Sequence, residues 1–262
     1  MHKKLIVANW KMNPNTLQEA RKIFHAIKRQ AERLIEVETV ICPPFIFLQG
    51  LRQLSPTRRC VLGAQDVFWE NSLIGDRVMS GAYTGEISPR MLRISGVRYV
   101  IVGHSERRAF CETDEIVSRK MHAALAEGIR PILCVGESER DKEGEYLHFI
   151  KKEIKNSLAG IPRKYLSQIV IAYEPIWAVG PKAERADTPD ELFEMVILIR
   201  KIIGELFGRK IATMTPILYG GSVNETNAGE FLKKGGVAGL LVGRASLSHR
   251  VFGGILKTAN RL

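Results

Sequence analysis

Ile169-Val170-Ile171-Ala172-Tyr173-Glu174-Pro175 decides the reading of the fold. Its apolar part, Ile169–Ala172, does not alternate with polar residues, as expected of a strand buried on both faces of a parallel sheet. Seven other runs rich in Val, Ile and Leu read the same way: Leu5–Ala8, Thr39–Cys42, Cys60–Ala64, Tyr99–Val102, Pro131–Val135, Pro216–Tyr219 and Gly239–Val242. Most are separated by segments of helical period. Leu17, Ala20, Phe24, Ile27, Ala31 and Leu34 form one apolar stripe, opened by the capping box Thr16-x-x-Glu19. Leu192, Met195, Val196, Ile199, Ile203 and Leu206 form another, and Thr188-Pro189-Asp190-Glu191 joins a capping box to a proline at the first helical position. Gly128 and Gly235 stand where helix ends call for a left-handed residue.

Strand–helix alternation implies parallel strands with right-handed crossovers. Eight units favour an α/β fold of one closed (β/α)8 barrel ringed by helices, although the count alone also fits an open doubly wound sheet. No repeat, low-complexity tract or long linker interrupts the 262 residues, so one domain over residues 1–262 is expected. Hydrophobic residues make up 45% and charged residues 26%, an ordinary globular balance with ample material for a core.

Lys and Arg number 39 against 28 Asp and Glu, a surplus of +11 that attracts nucleic acid, acidic lipid or phosphorylated metabolites without choosing among them. No apolar run approaches the roughly 18 residues of a membrane span. The start, Met1 to Asn9, reads as the first strand of a mature protein and not as a signal peptide. Cys42, Cys60, Cys111 and Cys134 show no metal-ligand spacing and are expected as free thiols in a reducing, cytoplasmic compartment.

Polar or glycine-rich sequence follows nearly every apolar run, and in a barrel those strand ends share the face that carries the active site. Glu174, in a largely apolar setting, can serve as a general base near neutral pH. His104 precedes a predicted helix start, which disfavours imidazolium and lets a neutral ring donate to a substrate oxygen. Asn9 and Lys11 can stabilise negative charge developing on that oxygen. Together they suit proton abstraction beside a carbonyl. The glycine-rich loops Gly220-Gly221-Ser222-Val223 and Gly243-Arg244-Ala245-Ser246 suit a phosphate site.

Five motifs carry a resemblance that spans nearly the whole chain: Asn9-Trp10-Lys11-Met12-Asn13, Gly81-Ala82-Tyr83-Thr84-Gly85-Glu86-Ile87-Ser88, Gly103-His104-Ser105-Glu106-Arg107-Arg108, Ala172-Tyr173-Glu174-Pro175-Ile176-Trp177-Ala178-Val179-Gly180 and Tyr219-Gly220-Gly221-Ser222-Val223. In identity and order they resemble the triosephosphate isomerase family. That family is itself the standing example of a glutamate base beside a neutral histidine electrophile, so those roles are inherited from it. The resemblance implies that Glu174 moves a proton between C1 and C2 of dihydroxyacetone phosphate and glyceraldehyde 3-phosphate. It implies that His104 polarises the carbonyl, that Asn9 and Lys11 stabilise the enediol(ate), and that Glu106 orders Lys11 through an ion pair. Gly180, Ser222, Gly243 and Arg244 match phosphate-binding positions. Pro175, Ile176, Trp177, Ala178, Val179, Pro181 and Lys182 match the lid. Gln65 and Thr84 match the dimer loop of a homodimer. No metal or organic cofactor is implied.

Three departures stand out. Fourteen residues, Val67 to Ser80, separate Gln65-Asp66 from Gly81, about twice the family's usual spacing. This reads as a looped-out insertion on an intact dimer, with an altered or lost dimer as the alternative. Pro181-Lys182 replaces Thr-Gly in the lid, which stiffens the open form. Arg244 replaces a second glycine beside Gly243; the motif needs only its backbone N–H, or the side chain adds a phosphate contact. Arg244 and the lid motivate a rival reading, an isomerase of a four-carbon ketose phosphate. A more distant rival, a non-catalytic nucleic-acid-binding barrel, rests on charge alone and leaves Glu174, His104 and Lys11 unexplained.

Overall fold

In the first strand, Lys4–Asn9, Leu5 and Val7 join one buried cluster while Ile6 and Ala8 join another. The first cluster fills the inside of a closed barrel and the second lies between barrel and helices. Both faces of each strand are therefore apolar, which is why the runs do not alternate. In this computed structural model, residues 3–54, 57–70, 72–74, 77–79, 81–178, 185 and 187–262 are described. The eight barrel strands are Lys4–Asn9, Val37–Cys42, Cys60–Ala64, Val97–Val102, Arg130–Val135, Val170–Tyr173, Ile217–Tyr219 and Gly239–Val242. All pair in parallel, and Leu5 opposite Gly239 closes the ring. This closure decides between the barrel and an open sheet.

The helices follow from their apolar stripes and caps. Leu17–Ala31 buries Ala20, Phe24, Ile27 and Ala31, and the Thr16 hydroxyl accepts the Glu19 N–H at 3.2 Å. Pro189–Phe207 buries Leu192, Met195, Val196, Ile199, Ile202 and Ile203 behind a complete Thr188–Glu191 capping box. Gly128 has the expected positive φ of 69°, but Gly235 does not: its φ is −73°, and Gly236 is the left-handed residue at 67°. Gly235 serves close packing instead, since a Cβ there would stand 2.6 Å from the Phe231 carbonyl oxygen and 2.5 Å from Leu192 Cδ2.

Within the Val67–Ser80 segment, Ser72–Ile74 and Arg77–Met79 pair as an antiparallel hairpin, with Leu73 opposite Val78. Cys42, Cys60 and Cys134 are buried and Cys111 is exposed; all four are free thiols. Burial pushes the Cys60 thiol up to about 12, which leaves it protonated and inert. No helix among the described residues is long and apolar enough to cross a membrane.

Candidate active site

The carboxyl ends of the strands bring four distant residues together. Asn9 closes the first strand and is buried; its Oδ1 accepts the Lys11 N–H at 3.1 Å. Lys11 adopts φ 53°, a left-handed conformation that costs a non-glycine residue about 1–3 kcal/mol. The Asn9 contact holds it there, and the Gln65 amide donates to the Lys11 carbonyl at 2.8 Å and to the Cys42 carbonyl at 2.9 Å. Lys11 Nζ meets Glu106 Oε1 at 2.5 Å.

His104 is buried and caps the short helix Ser105–Arg108. Its Nδ1 accepts the Glu106 N–H at 3.2 Å. A backbone N–H can only donate, so Nδ1 carries the lone pair and the proton resides on Nε2. Nε2 lies 3.3 Å from Glu174 Oε1. The other carboxylate oxygen, Oε2, accepts the Ser105 N–H at 3.2 Å. The Glu174 carboxylate and the His104 ring thus face one another across 3.3 Å.

Beneath Glu174 the packing is tight. A Cβ on Gly220 would stand 2.8 Å from Glu174 Cγ, so a glycine is required there. Inside the barrel, burial first, and then the Glu174 carboxylate, raises the Cys134 thiol well above its ordinary value.

A second layer supports the strand ends. Arg108 Nε donates to the Gly103 carbonyl at 2.8 Å and lies 3.1 Å from Glu153 Oε1. Glu153 Oε2 accepts the Gly136 N–H at 2.9 Å. Buried Lys120 bridges Asp66 at 2.6 Å and Glu112, and Glu112 also accepts the Gly103 N–H at 3.0 Å. Sequence reasoning missed Lys120, Glu112 and Glu153, whereas Gly103 and Arg108 lay in one of the five motifs and Asp66, Gly136 and Glu137 at polar strand ends. Glu137 Oε1 accepts both Tyr173 Oη and Trp177 Nε1 at 2.8 Å.

Of the lid residues, Pro175 and the 3-10 turn Ile176–Ala178 are described, with Trp177 and Ala178 buried. Val179, Gly180, Pro181 and Lys182 lie outside the described residues. On the far side, Arg185 donates to both Glu191 oxygens at 2.9 and 2.5 Å and lies over the Trp177 ring at 4.4 Å. Ser222 Oγ donates to the Ala178 carbonyl at 3.2 Å, tying the seventh loop to the turn Ile176–Ala178. Gly243 lies beside Lys11, whose Cε would be 3.6 Å from a Cβ at position 243. Arg244 opens the turn Arg244–Leu247 with an exposed side chain. Thr84 is exposed on the segment Gly81–Ser88, where the neighbouring Tyr83 ring packs on Phe68 at 4.7 Å.

This constellation can be compared with known proteins. A family model described as triosephosphate isomerase matches residues 4–259. The chain belongs to the triosephosphate isomerase family. Triosephosphate isomerase from Dehalococcoides mccartyi is 42% identical over 261 residues, covering 99% of this chain and 97% of that one. The triosephosphate isomerase of Natranaerobius thermophilus is 40% identical over 263 residues, with coverage of 100% and 98%. The crystal structure of triosephosphate isomerase from Bartonella henselae superposes with a TM-score of 0.82 at 33% identity, covering 98% of each chain.

Proposed function

We propose that this protein interconverts dihydroxyacetone phosphate and D-glyceraldehyde 3-phosphate, as an intramolecular aldose–ketose isomerase of glycolysis and gluconeogenesis. The observation that carries the reading is the 3.3 Å approach of Glu174 Oε1 to a His104 ring whose Nδ1 is held as an acceptor. Glu174 takes the proton from the carbon beside the carbonyl and returns it to the neighbouring carbon. His104 Nε2–H donates to the carbonyl oxygen, and Lys11 and Asn9 stabilise the enediolate charge. Because base and electrophile touch, substrate enters between them and Glu174 moves off the Ser105 N–H. Glu106 positions Lys11. Backbone groups at Gly180, Ser222, Gly243 and Arg244 receive the phosphate, and the lid from Pro175 to Lys182 excludes water.

Base, proton donor and fixed cation all come from this chain, so the reaction as read asks for no metal or organic cofactor. We read residues 1–262 as one domain acting in the cytoplasm as a homodimer, without nucleic acid or membrane as partner. Gln65 and Thr84 then belong to the loop that meets the second subunit. Turnover in deuterated water tests the chemistry: product with solvent deuterium on the carbon beside the carbonyl supports the enediolate route, and complete retention of the substrate hydrogen argues for direct hydride transfer.

A further inference from the structure

On the outside of the helix ring, a cavity of about 840 Å³ lies along the first helix, Leu17–Ala31, and its flanks. Arg21, Lys22, Arg29, Arg33 and Lys257 line it, and no carboxylate does. None of these five cations forms an ion pair among the described residues; Arg21 alone has a side-chain partner, the Gln53 amide oxygen at 3.2 Å. Elsewhere on the surface some cations are paired, as Lys151 is with Glu205 at 2.8 Å and Lys28 with Glu32 at 3.8 Å. Like charge gathered around one concavity focuses its field and raises the local concentration of anions.

The arrangement also defines the anion. Arg21 and Arg29 stand eight residues apart on the helix, about 12 Å along its axis, and Arg33 lies in the turn just past its end. Three guanidinium groups can each grip a phosphoryl group in bidentate fashion. Among them Ala26, Leu34 and Leu54 supply an apolar floor, and His25, Gln30 and His249 complete the lining. The volume falls in the range of small-molecule pockets, roughly 300–1,000 Å³. A bare phosphate uses neither the floor nor the length of the row of cations.

We propose that this groove binds a nucleoside polyphosphate, its base on the Ala26–Leu54 floor and its phosphates along the Arg21–Arg33 row. The test titrates ATP, AMP, inorganic tripolyphosphate and a single-stranded oligonucleotide into the full-length protein by calorimetry. ATP is expected to bind with a dissociation constant on the order of 100 μM, weakening with salt. The double variant Arg29→Glu/Arg33→Glu is expected to lose roughly tenfold or more of that affinity with isomerase kinetics unchanged. AMP is expected to bind more weakly than ATP. Absence of ATP binding, or equal binding by the variant, overturns the proposal. So does ATP inhibition competitive with glyceraldehyde 3-phosphate at a strength the variant leaves unaltered, which would place ATP at the active site. Tripolyphosphate as tight as ATP overturns the role of the floor, and an oligonucleotide tighter than ATP assigns the groove to nucleic acid instead.

Discussion

Gly136 and Glu174 touch backbone to backbone: a Cβ on residue 136 would stand 1.8 Å from the Glu174 carbonyl oxygen. The Glu174 N–H meanwhile donates to the Val135 carbonyl at 2.8 Å, so the backbone of the proposed base is located from below by its neighbouring strand. Any side chain at 136 displaces the Glu174 backbone, and its carboxylate with it. Gly136→Ala is expected to lower kcat roughly 100-fold, the scale of an ångström of misplacement. Overpacking is expected to cost about 1–3 kcal/mol as well. Steady-state kinetics beside a denaturant melt separate the two, and unchanged kcat would show that Glu174 tolerates the displacement.

Glu137 anchors Trp177 at the start of the proposed lid. Replacing it by Leu leaves the Tyr173 hydroxyl and the Trp177 indole N–H without their acceptor, at about 1–3 kcal/mol for each stranded donor. Glu137→Leu is expected to reduce stability and to loosen Trp177, with kcat falling roughly tenfold or more. Fluorescence anisotropy of the tryptophans checks the loosening, and wild-type anisotropy with wild-type kcat would contradict it.

Burial raises Glu153 from its ordinary value of 4.5 to about 7, although Arg108 pulls the other way. Between those values the folded protein holds a proton that the unfolded chain has released. The stability this group contributes is therefore full below 4.5 and lost as pH rises to about 7. Glu153→Gln lacks that slope. Denaturant melts at about pH 5 and about pH 8 are expected to show the wild type losing its advantage over the variant at the higher pH. An advantage that grows with pH would mean that the ion pair with Arg108 dominates.

The sequence was legible where burial is two-sided and where chemistry sits at strand ends. Leu5, Val7 and Ile6, Ala8 are apolar for different reasons, one pair facing the barrel interior and the other the helices, and together they make a run that only a buried parallel strand explains. Asn9, Lys11, His104 and Glu174 were visible because each follows such a run. The supporting charges Lys120, Glu112 and Glu153 were not. Lys120 lies on a helix and reads as a solvated cation, yet it is 1% exposed and held by Asp66, 54 residues away. Arg108 and Glu153 are likewise joined only by the barrel closing. The Ser72–Met79 hairpin was hidden because three-residue strands are too short for a period to show. At Gly235 and Gly236, adjacent glycines offered two sites for one left-handed residue, and packing against Leu192 chose between them.

The central claim is that Glu174, facing His104 across 3.3 Å, is the base of an aldose–ketose isomerase. Steady-state isomerisation of glyceraldehyde 3-phosphate, run on wild-type protein and on Glu174→Gln prepared identically, tests it most directly. The account predicts a fast wild type and a variant slower by roughly a thousandfold or more, with the same fold by circular dichroism. Equal rates in the two preparations would contradict it.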